Sequence, residues 1–213
     1  MYILKIQNRL FHIVLISLTF ITSYSSAINA ETARLLVLGD SLSAAYKMPI
    51  HSGWVALLQK QVSAQNIQVI NASISGETTS GGKNRLPALL TKHQPKWVIV
   101  ELGANDALRG QNLKFTKQNL QQIVQMSKEK EAHVLLLGIK LPTNYGPAYD
   151  KMLQRTYQSI ATNNQLLFDP FFLETVALEP DMMQQDALHP NEKAQVFILK
   201  RLKPLIDQLL KQK

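Results

Sequence analysis

From residue 34 onwards, short apolar runs rich in β-branched residues alternate with longer stretches of helical spacing. This alternation constrains the fold more than any other feature of the chain. The runs cover 34–38, 68–71, 97–102, 133–139 and 166–168. Several are apolar without every second residue turning polar, as expected of strands buried on both faces. Between them the spacing predicts helices over 53–64, 79–92, 116–130 and 148–161, and a long last one from residue 191. In that last stretch Ala194, Phe197, Ile198, Leu202, Leu205, Ile206 and Leu209 recur three or four positions apart and form one apolar face, and Pro204 is expected to kink or split it. Strand–helix alternation of this kind predicts an α/β fold with a doubly wound parallel sheet and helices on both sides. Such folds bind ligands beyond the carboxyl ends of their strands, so the chemistry is expected in the segments that follow each strand.

Residues 1–30 read differently. Lys5 and Arg9 make a basic start, 10–21 is almost wholly apolar, and 23–30 is rich in small residues. This is the three-part layout of a secretory signal peptide. Its apolar stretch of about 12 residues falls short of the roughly 20 that span a bilayer, so cleavage is expected in place of a lasting membrane anchor. Cleavage after Ala30 fits a first strand starting at Arg34, and Ala27 offers a second position. The expected organisation is a signal peptide at 1–30 and one domain at 31–213, in a periplasmic or secreted protein.

Hydrophobic residues make up 46% of the chain and charged ones 18%, enough apolar material for a core and too little charge for a disordered chain. The net charge of +8 becomes +6 once the two basic residues of the first thirty are gone. The remaining cations, among them Lys83, Lys92, Lys114 and Lys200, are scattered and do not interleave with aromatics, so no nucleic-acid partner is expected. The chain has no cysteine, which excludes a thiol nucleophile, a cysteine zinc site and a lipid-modified amino-terminal cysteine. No two histidines share ligand spacing and no Asp or Glu cluster supplies an oxygen cage, so neither a metal nor another cofactor is expected.

Four segments carry candidate chemistry. Gly39-Asp40-Ser41-Leu42-Ser43 follows the first run, where Ser41 is either a nucleophile or an ordinary turn or capping serine. Asn71 to Thr78 follows the second, with Gly76 free to bring its backbone close to a ligand or simply to turn the chain. The stretch from Gly76 to Lys83 fails the register of a phosphate-binding loop. Glu101-Leu102-Gly103-Ala104-Asn105-Asp106 follows the third, and the Asn105 amide can serve an oxyanion or a cap. Asp186-Ala187-Leu188-His189-Pro190 precedes the last helix. A carboxylate three residues before a histidine can bond Nδ1 and leave Nε2 as a base, although a capping aspartate gives the same pattern. Asp40 is expected to point away from the side of the strand that Ser41 uses, and to brace a loop as Asp106 does. Together the segments supply a nucleophile, two oxyanion donors, a base and an orienting acid at one sheet edge.

These blocks resemble those of the GDSL, or SGNH, hydrolases. The resemblance runs through essentially the whole of 31–213, on Gly39-Asp40-Ser41-Leu42, Gly76, Gly103-x-Asn105-Asp106 and Asp186-x-x-His189. The longer strings Leu38 to Ala44, Asn71 to Thr78 and Leu141 to Gly146 are similar to a periplasmic thioesterase, lysophospholipase and arylesterase subgroup of Gram-negative bacteria. The resemblance implies a flavodoxin-like three-layer α/β/α sandwich with five parallel strands. It implies a triad of Ser41, His189 and Asp186. The oxyanion hole would comprise the backbone N–H groups of Ser41 and Gly76 and the side chain of Asn105. It also implies an acyl-chain groove lined by 107–110 and 141–145, with Leu108, Leu141 and Tyr145 as substrate contacts. The sequence departs from the family pattern at Ala104, Ala45 and Leu188, none of which removes a functional atom.

The expected activity is hydrolysis of acyl esters and thioesters through an acyl-enzyme on Ser41, by a monomer acting on a small molecule without a cofactor. Apolar Leu42, Tyr46, Met48, Leu108, Leu141, Tyr145 and Leu188 near the expected site favour an acyl tail over a sugar. A carbohydrate or peptidoglycan O-acetylesterase with the same triad, and a non-catalytic acyl-binding protein, are the alternatives.

Overall fold

Five parallel strands form one sheet in the spatial order β2-β1-β3-β4-β5, in a computed structural model that describes residues 32–212. The expected signal segment, its two cleavage positions and His12 lie outside the described residues. The strands are β1 (Ala33–Gly39), β2 (Ile67–Asn71), β3 (Trp97–Glu101), β4 (His133–Leu137) and β5 (Leu167–Asp169). Every pairing is parallel, with Val37 opposite both Asn71 of β2 and Ile99 of β3. This is the flavodoxin-like order, in which the winding direction reverses between β1 and β3.

The helices are α1 (Trp54–Val62), α2 (Thr79–His93), α3 (Ala104–Leu108), α4 (Leu113–Glu129), α5 (Pro147–Asn164) and α6 (Gln195–Leu210). α1 packs with α6, α4 packs with both α2 and α5, and the sheet carries α6 against β4 and β5. The central strands are sealed on both faces. All of β3 is buried, as are the last five residues of β1 and the last four of β4. Burying one such Leu, Ile or Val side chain stabilises the fold by about 1.5–3 kcal/mol. The edge strands β2 and β5 are only partly covered, which matches their mixed sequences.

The expected elements all form, with shifted ends. β3 and β4 stop at Glu101 and Leu137, one and two residues early, because the chain leaves the sheet to build loops. α4 begins at Leu113, where the Asn112 side chain accepts the N–H of Lys114 and caps the helix. α6 runs unbroken through Pro204, so the expected split does not occur. α3 is absent from the sequence reading. It has five residues, too few to show helical periodicity. Among the described residues no helix is long and apolar enough to cross a membrane.

Candidate active site

The site lies at the carboxyl ends of β1 and β3, on either side of the point where the winding reverses. Gly39 ends β1 in a crowded place. A Cβ there would stand 2.9 Å from each of Glu101 Oε2, Ser43 Cβ and Ser73 Oγ. The chain then turns over residues 41–47, with the N–H of Ala44 bonded to the carbonyl of Asp40 at 3.0 Å. Ala45 takes φ 57 in this turn, a left-handed conformation that explains why glycine is the usual residue at such a position. Ser41 sits half-buried at the head of the turn.

The loop after β2 is bound to β1 through the N–H of Ile74 and the carbonyl of Gly39 at 3.1 Å. Gly76 then reverses the chain at φ 79. The guanidinium of Arg109, just beyond α3, donates to the Gly76 carbonyl at 3.0 Å, and Thr78 caps α2 by accepting the N–H of Gly81. The backbone N–H groups of Ser41 and Gly76 have no acceptor among the described residues.

After β3, Gly103 adopts φ 117 and α3 starts at Ala104. A Cβ on Gly103 would run into the hydroxyl of Tyr157, which donates to the Leu102 carbonyl at 2.9 Å. Asn105 thereby faces β1. One N–H of its amide donates to Asp40 Oδ2 at 2.9 Å, and the second is left over for a ligand. Asp40 also accepts the N–H of Leu42 at 2.9 Å, and Asp106 accepts the N–H and hydroxyl of Thr79. Both aspartates brace backbone as expected, and Asp40 also holds a side chain that the sequence reading did not connect to it.

The loop before α6 brings in the remaining groups. Met183 and Pro190 pair as an isolated bridge, the N–H of Gln184 donates to the His189 carbonyl at 2.7 Å, and the Gln184 amide donates to the carbonyls of Tyr46 and Pro190. Inside this tight loop Asp186 Oδ1 accepts the N–H groups of Leu188 and His189, each at 3.0 Å, and Oδ2 lies 2.9 Å from His189 Nδ1. On the other side of the ring, Nε2 lies 2.9 Å from Ser41 Oγ. With Nδ1 donating to Asp186, Nε2 is the acceptor for the Ser41 hydroxyl. Partial burial pushes the Asp186 carboxyl up, but the backbone donors of His189 and Leu188 and the imidazole outweigh it and bring its pKa down to about 2. Asp186 is therefore an anion throughout the ordinary pH range.

Beside Ser41, Asn105 and His189 opens a partly enclosed pocket of about 100 Å³. Leu42, Leu108, Ile139, Leu141, Leu173 and Leu188 line it. Leu108 and Leu141, the expected substrate contacts, are both on this lining. Tyr145 does not line this pocket. It lies in the 3-10 turn Thr143–Tyr145 and is 37% exposed, and Gly146 turns the chain away to start α5. The other histidines stay apart: His51 is in the turn Ile50–Ser52, His93 ends α2 and His133 starts β4. Among the described residues no group of three or more His, Asp or Glu side chains is placed to hold a metal ion.

Glu101, to which no local sequence pattern assigns a role, is completely buried at the tip of β3 and touches the turn that carries Ser41. Its signal is there in the sequence: Trp97-Val98-Ile99-Val100-Glu101 ends an all-apolar strand on a carboxylate, which a core does not accept without cause.

Residues 37–196 match the GDSL-like Lipase/Acylhydrolase family. The chain is 45% identical over 200 residues to "Thioesterase 1/protease 1/lysophospholipase L1" of Escherichia coli (strain K12), covering 92% of this chain and 94% of that one. It is 45% identical over 183 residues to "Esterase TesA" of Pseudomonas aeruginosa, covering 85% and 91%. A crystal structure of TesA superposes with a TM-score of 0.80 at 46% identity, over 83% of this chain and 99% of that one.

Proposed function

Since this chain belongs to the GDSL-like lipase/acylhydrolase family and is an ester-bond hydrolase, we propose that it cleaves acyl esters and thioesters through an acyl-enzyme on Ser41. The observation that carries this reading is the continuous relay of Ser41 Oγ, His189 Nε2, His189 Nδ1 and Asp186 Oδ2, with 2.9 Å at each gap between residues.

In the proposed reaction His189 takes the proton of Ser41 as Oγ attacks the carbonyl carbon. The backbone N–H groups of Ser41 and Gly76 and the second N–H of Asn105 stabilise the oxyanion, each donor worth about 10²–10³ in rate. His189 gives its proton to the leaving alcohol or thiol. Water deprotonated by His189 then attacks the acyl-enzyme, and collapse of the second tetrahedral species returns the proton to Ser41 and frees the acid. Asp186 holds the ring in the required tautomer and stabilises the imidazolium.

The apolar lining supports an acyl chain as the group bound, with Leu108 and Leu141 against it. The names of the two relatives support thioester, lysophospholipid and simple ester substrates. The site is complete within one chain, which supports a monomer, and the layout of residues 1–30 supports export to the periplasm. Purified protein assayed on palmitoyl-CoA, a lysophospholipid, an aryl ester and acetylxylan tests the substrate class. The expected result is turnover of the first three. Activity confined to acetylxylan would replace this reading with a carbohydrate O-acetylesterase.

A further inference from the structure

We propose that Glu101 is a positioning residue for the oxyanion donor Asn105: its buried carboxyl carries a proton to Asp40 and so fixes the carboxylate on which the Asn105 amide hangs. Glu101 and Asp40 are each 0% exposed. Glu101 Oε2 accepts the N–H of Asp40 at 3.2 Å and the hydroxyl of Ser43 at 2.8 Å, both in the turn that carries Ser41. Its other oxygen, Oε1, is buried and accepts no N–H or O–H among the described residues. Gly39 of β1 is paired with Glu101 of β3, so the next residue, Asp40, sets its carboxyl beside that of Glu101, and a bond between two carboxyls requires a proton on one of them.

Among the described residues, the groups that face the pair offer no positive charge. Asp106 of α3 adds a like charge, and Tyr157 of α5, Ser43 and Asn105 are neutral. Two carboxylates this close in a dry site cannot both ionise at ordinary pH. The proton belongs with Glu101. Asp40 already receives the N–H of Leu42 and the amide of Asn105, donors that favour its anion, and the Glu101 hydroxyl makes a third. Burial and then the Asp40 charge push Glu101 well above the usual carboxylate range, while Asp40, pushed up by burial and held back by its hydrogen-bond donors, comes only to about 7.

The consequence is a link from the core to the site. Losing the Glu101 proton places two adjacent anions under the turn, drives Asp40 off its bonds and lets the Asn105 amide rotate away from the oxyanion position. Activity should therefore decline in the alkaline range through kcat and not KM, since the oxyanion donors act on the transition state.

This inference rests on the reading of Ser41 and Asn105 given above, and the experiment separates the two. Glu101→Gln keeps a donor toward Asp40 and an acceptor for Ser43 but has no proton to lose. We expect it to retain kcat within about threefold at neutral pH and to lose the alkaline decline, whereas Glu101→Ala lowers kcat by about 10² with KM nearly unchanged. An alkaline decline that persists unaltered in a folded, Ser41-dependent Glu101→Gln enzyme overturns the inference and leaves the triad intact. Loss of the triad itself would show as full activity in Ser41→Ala. Should Glu101→Gln not fold, difference infrared spectroscopy of the wild-type protein decides. A buried protonated carboxyl at neutral pH, lost over the same range as kcat, supports the inference, and its absence overturns it.

Discussion

The ring of Tyr46 lies against the imidazole of His189, with centroids 4.4 Å apart and planes tilted by 38°. Tyr46 belongs to the turn that carries Ser41, and its own carbonyl is held by Gln184 of the histidine loop. The contact thus ties His189 to the turn that carries Ser41 across the two loops. An aromatic pair of this kind is worth about 0.5–1.5 kcal/mol. Tyr46→Ala should lower kcat by up to about tenfold, and Tyr46→Phe, which keeps the ring, should not. Steady-state kinetics on an aryl ester checks both variants.

The pKa of Asp186 near 2 makes it an anion wherever the protein is assayed. It should not contribute to an acid limb of activity until the pH falls toward that value. Asp186→Asn offers Nδ1 an amide that can donate as well as accept, which favours the wrong tautomer. A fall in kcat of the order of 10⁴ is expected, with the fold preserved. Circular dichroism beside kinetics checks that the loss is chemical. The same shift has a stability consequence with a definite sign: the stabilisation from Asp186 is present above the usual value of 3.8 and is lost as pH falls through about 2.

Asn105 contributes one N–H to Asp40 and has one to spare. Asn105→Ala should reduce kcat by about 10²–10³ and leave KM within a few-fold, because a donor aimed at the oxyanion acts in the transition state. An unchanged kcat would remove Asn105 from the oxyanion hole.

Burial raises Asp40 from 3.8 to about 7 and Glu101 higher still, so the folded pair holds a proton that the unfolded chain has released. The unfolded state then binds fewer protons, and stability declines as pH rises from about 4 to about 7. Glu101, raised for the same reason, extends the decline to higher pH. Thermal midpoints across this range should fall with pH, and Asp40→Asn should flatten the curve near neutrality. A midpoint that climbs through the same interval would contradict the buried pair.

Much of this was legible in the residues. The unbroken apolar runs at Val98–Val100 and Leu135–Leu137 mark strands covered on both faces, and the polar segments after them locate the edge where Ser41, Asn105 and His189 meet. The spacing of Asp186 and His189 is short enough for one loop to bring their side chains together, and it does. Other features depend on contacts that no local pattern encodes. The bond from Asn105 to Asp40 joins residues 65 positions apart, and α3 is set by the turn at Gly103 and not by periodicity. Tyr145 looks like a pocket residue from its neighbours Leu141 and Pro142, but the reversal at Gly146 leaves it on the surface. Glu101 shows as an anomaly in an apolar strand, and only the packing of β1 against β3 reveals what it holds.

The proposed chemistry turns on Ser41 as the nucleophile that His189 activates across 2.9 Å. Mass spectrometry of the protein after reaction with an alkyl phosphonate ester tests this most directly. A single adduct on the peptide containing Ser41 is predicted, forming in step with loss of aryl-ester hydrolysis and absent from an inactive Ser41→Ala protein. Adduct formation at another residue, or hydrolysis by Ser41→Ala at the wild-type rate, would contradict it.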